Sequence, residues 1–260
     1  MSLLPREHGA YGQCAIPLIT AFAVAGVSLA NVAIAVIAIA GFLAHEPASI
    51  LVGTRGARAK TLGGRAAMFW LAGCALVALA GGGILLDWLP AGLRWSLLIP
   101  GIPAVLLALL TIFRAEKSWQ GEVTTAIAFA GTVVPMILTA GYPVRVAAGV
   151  AIPLASFFVA ATLAVRTVIV RVRGGGDRRT ALALRASVCL LTVGTAATLA
   201  GCAAAGALPF SVATASAPGL AIAAFVAVRP PAPARLRTVG WTLMATSVVT
   251  ALMAIRTASL

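Results

Sequence analysis

Three observations make the sequence that of an all-α integral membrane protein with about nine transmembrane helices. Of its 260 residues, 61% are hydrophobic and only 10% are charged, whereas a soluble domain carries roughly a quarter of its residues charged. The mean hydropathy is +1.06. Most apolar runs reach the roughly 20 residues with which a helix crosses about 30 Å of hydrocarbon, while a β-barrel would show short alternating segments instead.

The spans are predicted at about residues 12 to 30, 33 to 53, 66 to 86, 95 to 113, 122 to 141, 146 to 166, 186 to 206, 209 to 228 and 239 to 256. The stretches "GGGILLDWLP", "GYPVR", "RVRGGGDRR" and "VRPPAPARLR" supply the Gly, Pro and charge expected between spans. The second and sixth spans run into Arg-bearing sequence that could continue as helix beyond the bilayer. The first span is expected to be retained, since "MSLLPREHGAYGQ" shows neither a basic n-region before an apolar core nor a clear cleavage site. Residues 1 to 260 read as a single polytopic membrane domain.

The basic residues set the orientation. With a cytoplasmic N-terminus, 16 of the 19 Lys and Arg fall on cytoplasmic segments, and only Arg94, Arg145 and Arg256 remain outside. The positive-inside rule therefore predicts an N-in, C-out chain. Dispersal over five segments also accounts for the net charge of +13 without nucleic acid, and contact with anionic headgroups is its ordinary consequence. The four cysteines, Cys14, Cys74, Cys189 and Cys202, have no C-x-x-C spacing and indicate neither disulfides nor zinc.

Acidic residues contribute little to topology. Yet Glu7, Glu46, Glu116, Glu122 and Asp177 all fall on the predicted cytoplasmic side, with both histidines, leaving only Asp87 outside. Such carboxylates could merely neutralise nearby arginines, as Asp177 would among its neighbours. "PREHGAYGQ" and "FLAHEPAS" are different, because each sets a His beside a Glu at the edge of an apolar run, where an ionisable group usually faces a cavity or a partner. Glu46 is read either as a site carboxylate or as the counter-ion of Arg55 or Arg58. Four cytoplasmic elements could line one site: "PREHGAYGQ", "HEPASILVGTRGARAK", "FRAEKSWQGE" and "VRTVIVRVRGGGD". In the third, Phe113, Lys117 and Gly121 are expected on one helical face, flanked by Glu116 and Glu122. Carboxylates and imidazoles suit a metal, and guanidinium groups suit phosphate.

The phrases "PREHGAYGQ", "FLAHEP" and "RAEKSWQGE" resemble the signature of the YwiC-like family of bacterial membrane proteins, whose function is undefined. The overall plan also resembles the UbiA-type prenyltransferase superfamily, with nine helices, the N-terminus inside and polar motifs after the second and sixth helices. That resemblance implies a UbiA-prenyltransferase-like bundle in the bacterial inner membrane, acting on an isoprenoid or other lipid-linked diphosphate. The superfamily's N-D-x-x-D motif falls on His45 to Ser49, where Glu46 is the one acid kept. Its Y-x-x-x-K-R loop falls on Phe113 to Lys117. Its D-x-x-x-D motif falls where this chain has Arg166 and Arg171 and no acid before Asp177.

On this resemblance His45, Glu46 and Lys117 are the candidate catalytic residues, and Arg55, Arg58, Arg166 and Arg171 the candidate phosphate ligands. Glu46, Glu116, Glu122 and His8 are the candidate ligands of Mg2+. Prenyl transfer needs the charge developing on the departing diphosphate stabilised. Here guanidinium groups would share that task with at most one metal, and His45 could be a ligand or general base. Two other classes stay open. One is a noncatalytic protein holding a metal or haem through His8 and His45. The other is a small polar-solute transporter, which nine spans with motif loops on one side suit poorly.

Overall fold

The computed structural model describes residues 3–5, 8–172, 178–232 and 235–258. Among these the chain is helical with no strand, as expected. Contacts divide it into two compact units, Met1–Tyr142 and Pro143–Leu260.

In the first unit, α1 (His8–Ala25) is short, and α2 (Leu29–Val52) and α3 (Ala57–Trp88) form a tightly packed hairpin. A 3-10 stretch, Ala91–Leu97, leads into α4 (Leu98–Ile112). The fifth span is two helices, α5 (Trp119–Gly131) and α6 (Val133–Thr139). The second unit holds α7 (Val144–Val172), α8 (Arg178–Ala204), α9 (Phe210–Val228) and α10 (Leu236–Ala258). Counting the 3-10 stretch with α4, and α5 with α6, these make nine helical segments. Eight are long and apolar enough to cross a membrane, α1 being the short one.

Local chemistry sets the boundaries. The predicted first span, 12 to 30, is replaced by α1 over 8–25, because Gly26 adopts φ +72° and stops the helix. Ser28 then caps α2 by accepting from the Asn31 amide at 3.2 Å, while the fully buried Asn31 side chain donates to the Gly26 carbonyl, also at 3.2 Å. These bonds pin the α1–α2 turn. α2 continues through the buried Pro47 and ends at Gly53, in the left-handed region at φ +89°.

The expectation that the second helix continues through the Arg-bearing stretch is corrected by that ending. Arg58, Lys60 and Arg65 belong instead to the first turns of α3, which begins at residue 57 rather than 66. At 32 residues it is about 48 Å long, well beyond about 30 Å of hydrocarbon, so its basic start has room outside the apolar layer. α2 and α3 approach closely at Gly81, where a Cβ would meet Ile37 Cγ1 at 3.0 Å. The α5–α6 span is the most buried of the chain, packed against α1, α2 and α4.

In the second unit α7 contacts each of the other three helices. It continues to Val172 through Arg166, matching the extension predicted for the sixth span. Phe157 is 1% exposed, and its ring lies where a Cβ on Gly219 of α9 would come within 2.5 Å.

Candidate functional site

At the C-terminal end of α2 two of the candidate residues of the first unit, Glu46 and Arg55, meet. Gly53 donates to the carbonyls of Ser49 and Ile50, both at 3.1 Å. Thr54 donates to the Ser49 carbonyl with its amide and its Oγ1, each at 3.0 Å. This Schellman-type closure satisfies the last carbonyls of the helix and reverses the chain. A second positive φ at Gly56 (+91°) starts α3. The reversal carries Arg55 back along α2 to Glu46, and Arg55 Nη2 donates to Glu46 Oε2. The side chains are 19% and 2% exposed, respectively. Of the two counter-ions the sequence offered, the structure selects Arg55, while Arg58 lies exposed on the first turn of α3.

A second element meets this one from the α4–α5 connection. α4 ends in another Schellman-type turn, Ala115 N donating to Leu110 O at 2.7 Å, with Arg114 at φ +58°. Arg114 is the one non-glycine residue with positive φ among those described. The left-handed region costs an ordinary residue about 1–2 kcal/mol. What Arg114 does there is visible: its Nη2 donates to the Val52 carbonyl at 3.0 Å, across 62 residues of sequence. The strained backbone thus aims a guanidinium at the end of α2.

The expected shared helical face of Phe113, Lys117 and Gly121 is therefore corrected. Residues 113 to 118 are turns, stopped by Arg114 and restarted by Ser118, whose Oγ accepts from the Gly121 amide at 3.3 Å. Gly121 instead lies under the backbone of Glu116, so closely that a Cβ would fall 2.2 Å from its carbonyl oxygen. Glu116 is 7% exposed, and its Oε2 is buried with no hydrogen-bond partner. Ser49 Oγ and Arg55 Nε share that state. Ser49 lies one turn from Glu46, whose carboxylate takes Arg55, and Glu116 is two residues from the Arg114 that caps the same helix. Buried polar atoms are nearly always satisfied, so Ser49 Oγ, Arg55 Nε and Glu116 Oε2 make these two turns the candidate polar site of the first unit.

The remaining candidates are placed as follows. His45 and Glu122 are half-buried, and Lys117 is exposed. Arg166 is half-buried on α7 of the second unit; the side chains of His8 and Arg171, and all of Asp177, lie outside the described residues. Among those described, no group of three or more His, Cys, Asp and Glu side chains gathers as a metal site. Glu46 offers its Oε2 to Arg55.

Sequence reading missed Arg114 and Ser49 as site residues. It also missed the aromatic chain that links α1, α2 and α5: Tyr11 of α1 lies edge-on to Phe42 of α2 (5.0 Å), and Phe42 to Phe129 of α5 (5.9 Å). Phe42 stands one turn before Glu46, and the Tyr11 hydroxyl donates to the Pro5 carbonyl at 3.0 Å. Spacing could have shown Phe42 and Glu46 on one face of α2, but not the partners on other helices.

Fold and composition together define a multi-pass helical membrane protein. The model of the YwiC-like protein family matches residues 4–137, just over half of the chain, and the protein belongs to the YwiC-like family. The matched segment ends within a few residues of the boundary of the first unit. No curated protein and no solved structure matches the chain.

Proposed function

We propose that the first unit binds a lipid-borne phosphate or diphosphate at the end of α2, and that the protein is a UbiA-like transferase acting on an isoprenoid or related lipid at the cytoplasmic face of a bacterial inner membrane. The observation that carries the reading is the pair of partnerless buried donors, Arg55 Nε and Ser49 Oγ, in the same chain reversal as the exposed cation Arg58. Glu46 holds one arm of the Arg55 fork and leaves Nε to a phosphate oxygen. Arg58 and Lys117 add positive charge where the diphosphate would sit.

The chemistry follows from those positions. The bond between the allylic carbon and the diphosphate oxygen breaks, and the electron pair leaves with the diphosphate. Guanidinium and ammonium groups stabilise that charge. The acceptor forms the new bond to carbon and loses a proton, which Glu116 takes. No step is routed through a metal. The resemblance in plan to UbiA-type enzymes supports the reading, as does a membrane bundle whose polar site lies at helix ends.

The test uses purified full-length protein and geranylgeranyl diphosphate as probe, following binding and diphosphate release with a quinone-precursor or lipid acceptor. Glu116→Gln should preserve probe binding and reduce diphosphate release by about 10²-fold or more, the scale of a lost general base. Arg58→Gln should weaken probe binding. Binding without release in the wild type would make this a noncatalytic lipid-phosphate protein. No binding at all would return the cluster to holding helix ends at the headgroups.

A further inference from the structure

α2 and α4 end in the same kind of turn on unlike residues. Each Schellman-type turn sets one residue in the left-handed region, which glycine enters without strain. α2 places Gly53 there, at φ +89°, and α4 places Arg114, at φ +58°. A glycine would close α4 equally well, so what the strain secures is the reach of the arginine side chain. The two turns touch at these residues. Arg114 Nη2 lies 3.4 Å from where a Cβ on Gly53 would stand, and it donates to the carbonyl of the preceding Val52 at 3.0 Å.

That bond falls on a soft part of the chain. Gly53 and Gly56, at φ +89° and +91°, bracket Thr54 and Arg55, and glycine backbone is the freest to move. The bonds within the reversal are local, Gly53 and Thr54 donating back to Ser49 and Ile50, and Gly56 to Gly53. Arg114 adds a bond from 62 residues away, which fixes the reversal against the α4–α5 turn as well as against α2. Arg55 follows Val52 by three residues. Its Nη2 is on Glu46 and its Nε is buried without a partner, so where that Nε stands depends on the path of the reversal. A loop already held in its binding conformation need not be ordered when a ligand arrives, and affinity rises accordingly.

We infer that Arg114 is a positioning residue, which holds the Gly53–Gly56 reversal in place and thereby presents Arg55 to a lipid phosphate. This rests on the phosphate reading of the first unit, and adds to it a residue of another turn that acts through Arg55.

Arg114→Gly in the full chain tests this, because glycine takes φ +58° without strain while the guanidinium is lost. With the strain relieved against the lost bond, the melting temperature should stay within about 3 °C of wild type. Without ligand, amide hydrogen exchange at residues 53 to 56 should quicken about tenfold, with exchange in α9 unchanged. Binding of geranylgeranyl diphosphate should weaken about tenfold, the scale of ordering one or two loop side chains. In an Arg55→Lys background, which keeps a cation for Glu46 and has no Nε, the same substitution should weaken binding by about twofold or less. A loss as large there as in wild type would make Arg114 a ligand contact in its own right and overturn the inference. Unchanged exchange at residues 53 to 56 would also overturn it, as would unchanged affinity in a protein whose exchange has quickened. If wild type fails to bind the probe, the phosphate reading fails by itself; quickened exchange then still upholds the hold of Arg114 on the reversal that carries Arg55, and unchanged exchange overturns it.

Discussion

Arg55 and Glu46 make unequal demands on the fold, and the inequality can be measured. Glu46 is 2% exposed at the side chain and Arg55 19%. Arg55→Gln leaves a carboxylate in the interior with no cation. Removing one member of a buried pair costs about 3–5 kcal/mol, and the partial access of Arg55 to solvent places this pair near the lower figure, at about 3 kcal/mol. Glu46→Gln keeps an oxygen for the guanidinium and leaves the charge on the member that can reach water. Its loss is that of a charge-assisted bond reduced to an ordinary one, about 1 kcal/mol. The double variant should resemble Glu46→Gln, giving a coupling energy of about 3 kcal/mol in a double-mutant cycle. Equilibrium unfolding in detergent reads all four corners. If Arg55→Gln costs no more than Glu46→Gln, the reasoning fails and Glu46 is held by something other than Arg55.

Gly121→Ala places a Cβ 2.2 Å from the Glu116 carbonyl oxygen, a backbone atom that only a shift of the turn can move. A loss of about 1–3 kcal/mol with weakened probe binding is expected, and an unchanged melting temperature would contradict the geometry. Gly219→Ala forces the Phe157 ring out of its position and should destabilise the second unit by a similar amount, with an unfolding titration as the check. Arg114→Ala loses the bond to Val52 and keeps the left-handed strain, so Arg114→Gly should be the milder change by about 1 kcal/mol; equal stability would show the strain to be absent. For orientation, Lys60→Cys in a chain cleared of its own cysteines should resist an impermeant thiol reagent added from outside intact cells. Prompt labelling there would reverse the topology read from the 16 to 3 division of basic residues.

The amino-acid sequence by itself determined the class of protein and the number of helical segments, because spans and breakers are written in local composition. Apolar runs of membrane length are a property of the segment itself, although the predicted first span ran through Gly26, where α1 ends. The phrases "FLAHEP" and "RAEKSWQGE" were visible as candidates, since charge at the edge of an apolar run is expensive wherever it occurs. Tertiary structure alone decided what those charges do. Choosing Arg55 over Arg58 as the partner of Glu46 depended on the direction of the Gly53–Gly56 reversal. The start of α3 at residue 57 was hidden because its basic first turns read as loop by hydropathy while being good helix formers. Residues 113 to 118 read as helix by spacing, and became turns because Arg114 accepts an unfavourable backbone conformation to reach Val52, a contact 62 residues away. The partnerless atoms of Ser49, Arg55 and Glu116 arise where separate segments meet, and no local pattern encodes such a meeting.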